Sequence, residues 1–409
     1  MAAVAGLRGT GDWGTDERPK NFREMIMWRN PNGTAPIFAL MSRVQKESTN
    51  DPEFSWWDEP NDLIRLTVNG ALAAGDTTIV VDSSDPSATA PGNSWGVATH
   101  LTAGDLLLVE PAADHATYDH EIIEVVSVAS ETTFTVRRGR AGTTAAAIAN
   151  NLNLLKIGTS FAEGTAAASA VSRNPIKYTN LAQIFKTSYE VTNTATKTHA
   201  RTGDPVANDK KRRAFDHSRD IEQAILWGQK NETTGANGKP LRTMDGIRSF
   251  IPSATTTVFS GSVTVSSFLD AVYPVFNYDT PAGDERIGFC GNNGLNILNK
   301  MIQTDSSTQI QWGGVIKQFG MNFREFLMPQ GRLLMRTHPL LNLNSLYRDS
   351  MFIIDFASVR WRPVAGRDTT FQDNIQNKDE DLRRGQWITE AGLEVQRGGL
   401  TQGYLGAIQ

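Results

Sequence analysis

Several stretches of this chain carry residue types that could hold a phosphate, bind a metal or move a proton. The run Gly9-Thr10-Gly11-Asp12-Trp13-Gly14 fits the G-x-G-x-x-G spacing, in which a strand, a tight turn and a helix aim backbone N–H groups at a pyrophosphate. Too few residues precede it for a strand and no βαβ rhythm follows, so the nucleotide reading fails on context. Arg140 to Thr144 contains glycine but lacks the Lys-Ser/Thr ending of a phosphate-cradling loop. The six histidines are His100, His115, His120, His199, His217 and His338. His115 and His120 share a stretch with Asp114, Asp119 and Glu121, all plausible metal ligands by type. Their spacing matches no strong ligand pattern, and an exposed polar loop is the simpler reading. His217 stands beside Asp216 and Arg219 on a helical pattern, which suggests a surface or intersubunit hydrogen bond. Asp279, Asp284 and Glu285 fall in a Pro-Gly loop and read as a turn rather than an acid/base pair. The lone Cys290 excludes an intrachain disulfide and reads as a small buried hydrophobe in a reducing compartment. No Ser–His–Asp, Cys–His or paired-carboxylate arrangement emerges. The expectation is no catalytic residue, no cofactor site, no metal site, and no enzyme.

Composition points the same way. The 409 residues are 39% hydrophobic and 21% charged, which suits a chain that buries a real core. The 40 basic and 44 acidic residues are interspersed and give a net charge of −4. A protein that grips nucleic acid usually carries a basic excess, because phosphate neutralisation supplies most of its affinity. Tight DNA binding is therefore not expected. No run approaches the roughly 18 apolar residues of a membrane-spanning helix, and Met1 to Asp12 lacks the pattern of a signal peptide.

The elements available to position side chains change type along the chain. The first 60 or so residues read as an arm, rich in Gly and Pro yet carrying Trp13, Trp28, Phe54, Trp56 and Trp57. Such an arm cannot close its own core, so those rings pack either on later parts of this chain or on a partner. From Leu66 to about Arg138 short β-rich runs alternate with turn signals at Gly75-Asp76, Gly104-Asp105 and Ala129-Ser130-Glu131. These predict a small barrel or sandwich closed by Gly139 to Ala149. Leu154 to about Thr198 reads as a second extended region with a strand near Ser188 to Thr192, together suggesting a projecting two-stranded loop that a neighbour supports.

Pro205 then opens the strongest helix, whose Ala214, Ser218, Ile221, Ile225 and Gly228 form one stripe widened by Phe215 and Ala224. Its first turns hold Asp209, Lys210, Lys211, Arg212 and Arg213, which read as a solvated face. Ser266-Ser267 is expected to cap a helix running toward Phe276, with Pro274 as a kink or stop. Arg286 to Cys290 reads as a strand, Asn292-Asn293 as the start of a helix, and Pro329-Gln330-Gly331 as a hairpin turn. Met351 to Trp361 reads as one long β-rich run and Trp387 to Gln396 as another, giving an α+β class.

Four segments carry a resemblance: Arg212 to Gly228 (RRAFDHSRDIEQAILWG), Thr243 to Phe250 (TMDGIRSF), Asp355 to Asp368 (DFASVRWRPVAGRD) and Trp387 to Ile408 (WITEAGLEVQRGGLTQGYLGAI). In this order they resemble the tailed-bacteriophage major capsid (major head) proteins that carry a β insertion in the N-terminal half. The likeness covers about 160–409 well and the first 60 residues loosely. It implies a tailed-phage capsid fold of the Hong Kong 97-like type with an inserted small all-β barrel or sandwich. On that basis 1–60 is an N-terminal arm, and 61–200 an extended loop with the β domain at about 66–150. Residues 201–250 hold the spine helix of a peripheral domain, 251–345 form an axial domain, and 346–409 return as peripheral strands.

The implied partners are copies of the same chain as hexamers and pentamers in an icosahedral shell, with portal and cement proteins possible and packaged DNA touched only weakly. The implied location is the virion, assembled in the host cytoplasm. No long coiled coil precedes the arm, which implies a separate scaffolding protein or a scaffold-free route. Some relatives join subunits through a Lys–Asn isopeptide bond, but no motif here identifies such a pair. Three other readings remain open at this point: a tail or decoration protein of a virion, an encapsulin-like compartment, and more distantly a carbohydrate-active enzyme or lectin suggested by the Trp-rich β segments.

Overall fold

A computed structural model describes residues 46–59, 63–82, 97–110, 120–172, 175–198, 203–304, 312–318 and 321–409. The glycine motif at 9–14, Trp13, Trp28, Asp114, His115, Asp119 and His199 lie outside the described residues.

The helix at the centre of the molecule is Pro205–Trp227. Asp204 caps it by accepting the Val206 N–H at 2.9 Å, and Pro205 takes the first helical position, where no N–H is missed. It ends at Gly228, where a Cβ would lie 2.5 Å from the Met244 carbonyl oxygen and 2.6 Å from that of Ala224. Only glycine permits that approach. The buried face is rotated from the expected stripe. It comprises His217, Ile221, Glu222, Ile225 and Leu226, whereas Phe215 faces outward. Apolarity alone misplaced the face because two of its members are polar and find partners on other elements.

Two sheets flank this helix. A mixed seven-stranded sheet runs in the order Thr256–Val258, Gly403–Gly406, Met351–Ile354, Glu285–Cys290, Gly331–Thr337, Met321–Met328, Trp312–Gln318. A four-stranded sheet is built on the long strand Leu382–Val395, which pairs with Gln183–Thr192 along one edge and with Val359–Pro363 and Thr370–Gln372 along the other. One core cluster lies between helix and sheets, with Ile221, Ile225, Phe289, Phe352, Trp361 and Leu393 among its fully or nearly fully buried members. A second cluster, with Phe268, Leu298, Phe326 and Met351, lies on the other side of the seven-stranded sheet.

The expected single run Met351 to Trp361 is two strands in two different sheets. Asp355 interrupts it, accepting the Ala357 N–H at 3.0 Å and starting the short turn Phe356–Ser358. A side chain that satisfies its own following backbone competes with the ladder, which is why the strand stops there. The helix expected from Ser266 is capped two residues earlier, by Thr264. Thr264 and Ser267 bond each other's backbone N–H groups reciprocally. The helix Val265–Val272 then gives way to a tighter turn, Tyr273–Phe276, at Pro274.

The N-terminal β region is a closed barrel. Six strands follow the order Arg65–Thr67, Asn153–Thr159, Asp105–Val109, Ile122–Val128, Thr133–Arg140, Thr78–Val80. The ring closes where Asn69 N–H donates to Val80 O and Asp82 N–H to Thr67 O, both at 2.9 Å. The barrel extends past its expected end at Ala149, because Asn153–Thr159 bridges Arg65–Thr67 and Asp105–Val109. Its core, with Leu66, Ile79, Leu107, Ile123 and Phe134, is separate from the other two. A two-stranded ribbon, Glu53–Asp58 against Ile176–Leu181, joins barrel to body. The expectation that a neighbour supports this ribbon is corrected at its inner face: Phe54 and Trp56 are buried, and Trp56 donates its indole N–H to Val395 O at 3.1 Å within the same chain.

Because the barrel has its own core, damage to it should stay local. Truncating the fully buried Phe134 to Ala should lower stability by about 3–5 kcal/mol. In scanning calorimetry the expected outcome is a lower melting transition for the barrel alone, with the body's transition in place. A single transition moving as a whole would disprove the separation.

Candidate functional site

The side chains that the sequence offered for chemistry are used to hold elements together. His217, 2% exposed, places Nδ1 3.1 Å from Thr187 Oγ1 and Nε2 2.8 Å from Thr389 Oγ1. Thr389 lies in turn 2.9 Å from Thr369 Oγ1. Hydroxyls can donate or accept, so a neutral imidazole is satisfied at both nitrogens. Burial holds the His217 pKa below its ordinary value, opposed in part by the nearby Asp220 carboxylate. The expected surface or intersubunit role is therefore corrected: His217 is an internal joint between the spine helix and the four-stranded sheet.

One turn further on, Glu222 makes the matching joint to the other sheet. His338 Nδ1 accepts the Leu340 N–H at 3.2 Å, which leaves the ring proton on Nε2. That nitrogen donates to Glu222 Oε1 at 2.5 Å, with both side chains fully buried. His338 directly follows the strand Gly331–Thr337, so the bond ties the helix to the seven-stranded sheet. Nothing in the sequence spacing pairs residues 222 and 338; only the fold brings them together.

The ribbon is attached by a third set of polar contacts. The carboxamide of the fully buried Asn180 donates to the carbonyls of Asp245 at 3.1 Å and Leu393 at 2.6 Å. Its oxygen accepts the N–H groups of Leu181 and Asp245, each at 2.8 Å. At the other ribbon strand, Asp58 accepts the Gly398 N–H at 2.7 Å, and burial raises its pKa. Arg397, Gly398 and Gly399 all have positive φ, 58°, 54° and 71°. A Cβ at Gly399 would sit 2.1 Å from the Phe250 carbonyl oxygen, so glycine is required by both conformation and space. Residues 46–49 run beside Val359–Pro363, with Thr49 N–H donating to Pro363 O at 2.9 Å and Lys46 paired to Asp368 at 2.7 Å.

The remaining candidates are structural as well. Glu121 accepts from the Arg138 guanidinium at 2.6 Å and from the backbone N–H groups of Gly139 and Ala146, which together hold its pKa down against the effect of burial. Cys290 is fully buried and its thiol pKa is pushed far above the ordinary range by that burial, so it is unreactive. Asp279 and Asp284 surround Arg286, whose guanidinium donates to the carbonyls of Gly283, Glu285 and Tyr278 at 2.8, 2.9 and 3.2 Å. Among the described residues no group of three His, Cys, Asp or Glu side chains could hold a metal ion. No helix among them is long and apolar enough to cross a membrane.

What the described surface does offer is exposed apolar area. Trp57 is 60% and Leu63 73% exposed where the ribbon meets the barrel, with Ile157 and Phe161 also outward-facing on that unit. Leu343 and Leu346 are 64% and 72% exposed on the body, beside a groove of about 630 Å³ at the C-terminal end of the spine helix. Large apolar side chains brought to the surface this way are material for contacts with other chains.

The model of one protein family, SU10 major capsid protein, matches residues 6–398. The chain belongs to the SU10 major capsid protein family. It is thus a phage major capsid protein, with virion and shell as its setting. The major capsid protein of Pseudomonas phage PaMx41 is 26% identical over 410 residues, covering 98% of this chain and 92% of that one. Among solved structures, the capsid of a native GTA particle has a TM-score of 0.45 at 9% identity and covers 95% of each chain. The capsid of Myoviridae phage XM1 has a TM-score of 0.44 at 8% identity, over 95% of this chain and 96% of that one. The encapsulin from Synechococcus elongatus PCC 7942 has a TM-score of 0.41 at 9% identity and covers 58% of this chain and 77% of its own. The family match and the full-length relative carry the assignment.

The buried His217 gives this capsid protein an acid-side sensitivity. Its folded pKa lies below the unfolded value near 6.5, so on acidification the unfolded chain takes up the proton first. The joint's stabilisation is complete above about pH 6.5 and declines as pH falls below it. Between about pH 7 and pH 5 the urea midpoint of the native chain should therefore drop more steeply than that of His217→Gln. Parallel slopes for the two proteins would remove His217 from the account.

Proposed function

We propose that this capsid protein builds an icosahedral head shell around phage DNA by contacts spread along its extensions rather than by any catalysed step. The observation that carries the reading is apolar surface on the ribbon and barrel, at Trp57, Leu63, Ile157 and Phe161, in a chain of a capsid family. These side chains lie outside the three core clusters. Contact with a neighbouring copy buries them, and each such burial contributes about 25 cal/mol per Å².

In this reading residues 1–60 serve as an arm, and the ribbon with its barrel as the extended loop lying over a neighbour. The spine helix and the four-stranded sheet form the peripheral domain. Residues of about 251–345 form the axial domain that meets its copies at capsomer centres. Hexamers and pentamers follow from heterologous contacts that close into rings. Charge supports only weak contact with DNA, since Arg212, Arg213 and Arg219 pair with Asp209 and Asp216 along the helix. Scaffolding, portal and cement proteins would be separate chains, and assembly would take place in the host cytoplasm. His217, Glu222, Asp58 and Glu121 each bond another part of the fold, the use expected of such groups in a structural protein.

Removal of Met1 to Leu40 should leave a folded subunit that fails to assemble. Circular dichroism would match the full chain, while electron microscopy would find no closed shells, even with the scaffolding gene co-expressed. Normal particles from the truncated chain would refute the role of the arm.

A further inference from the structure

The groove at the end of the spine helix has a composition unlike the rest of the surface. Gln183, Gln223, Trp227, Gln229, Asn344 and Tyr347 line it, and none of its lining residues among those described is charged, in a chain that is 21% charged. Its volume of about 630 Å³ falls within the roughly 300–1,000 Å³ of sites that hold a compact ligand or a few residues of peptide. Trp227, Leu343 and Tyr347 offer apolar faces, while Gln223 and Gln229 offer donors and acceptors for an extended backbone. A charged occupant would leave its charge unpaired among these groups, which selects against it.

The described chain begins at Lys46, on the outer edge of the four-stranded sheet. Thr49 pairs with Val364, the neighbouring Pro363 with Ala391, and Ala391 with Gln183, a groove residue. The path from the 46–49 segment to the groove thus crosses three strand spacings, about 14 Å at ~4.8 Å each. Upstream of Lys46, the longest uncharged run in the first 45 residues is Asn30 to Ser42, bounded by Arg29 and Arg43. It contains Ile37, Phe38, Leu40 and Met41. Phe38 lies eight residue steps upstream of Lys46, an extended reach of about 26 Å. Length and chemistry both match.

We infer that the groove is a docking site for this chain's own arm, with the segment around Ile37 to Met41 seated against Trp227 and Tyr347. The inference rests on the arm's part in assembly. It adds that the arm is anchored on its own subunit before reaching outward, so that the residues upstream of Asn30 are delivered to a neighbour from a set point. An anchored arm presents its tip at a higher effective concentration than a free one.

The test uses the full chain with Phe38→Cys and Gln223→Cys; the native Cys290 is buried. Under mild oxidation the expected product is an intrachain disulfide, seen as a monomer of altered gel mobility whose mass falls by two hydrogens. A second full-length variant, Thr49→Cys with Val364→Cys, reports whether oxidation works at a pair whose register is already given. A disulfide-linked dimer from the first variant would overturn the inference and assign the groove to a neighbour's arm. No cross-link, with the control pair joined, would overturn it outright. Particle formation by the same protein under reducing conditions is scored separately by electron microscopy, so failure of the anchor and failure of the shell reading are told apart.

Discussion

The body of this subunit depends on one helix being held between two sheets by polar bonds that water cannot reach. Apolar packing alone would let Pro205–Trp227 slide or rotate, since Ile221, Ile225 and Leu226 could fill neighbouring holes at little loss. His217 bonds Thr187 and Thr389 on one sheet, and Glu222 finds His338 on the other. A misregistered helix would leave those groups buried without partners, at about 1–3 kcal/mol for each neutral group and more for a carboxylate. The two joints therefore act mainly on uniqueness of the fold. A shell needs that property, because an angular error in one subunit is repeated in every copy.

The same device recurs where the extension leaves the body. An isolated two-stranded ribbon is marginal in water, yet Glu53–Asp58 with Ile176–Leu181 must carry a barrel of its own. Asn180 makes four hydrogen bonds at its base, and Asp58 holds the left-handed turn at Arg397 to Gly399. Trp56 fills the space between, stacked on Tyr178 and Phe54. The direction of the barrel is thus set by hydrogen bonds to the body at both ends of the ribbon, from Asn180 and from Asp58. Trp57, the next residue, faces outward as strand alternation requires.

Much of the fold was legible from residue patterns. Pro205 and the 3.6-residue rhythm gave the spine helix its start and type, and Gly-Asp turns marked the starts of two of the six barrel strands. What misled was polarity. Phe215 was read into the buried stripe and His217 out of it, because a periodicity argument counts apolar side chains and cannot see a threonine two strands away. The break at Asp355 was hidden for a related reason: Met351–Ile354 and Val359–Pro363 are both β-rich, and only the aspartate's bond to its own backbone separates them. The partnership of Glu222 with His338 spans 116 residues and left no trace in spacing. Family likeness, by contrast, was legible in Arg212 to Gly228 and the C-terminal segments, where the body is assembled.

These features divide the labour between the inside of the subunit and its surface. Inside, the specific bonds of His217, Glu222 and Asn180 are buried and tie separate elements together, so the subunit holds one shape. Outside, Trp57, Leu63, Leu343 and Leu346 offer apolar contacts that are individually modest. Contacts of that kind add up only when several engage at once without distorting the chain that bears them, because distortion would consume the free energy each contact supplies. A loosely held ribbon would lose, in ordering itself on a neighbour, much of what burying Trp57 and Leu63 contributes. The buried asparagine at its base removes that loss before assembly begins. Rigidity set by polar joints within the subunit is thus what lets weak apolar contacts between subunits close a shell.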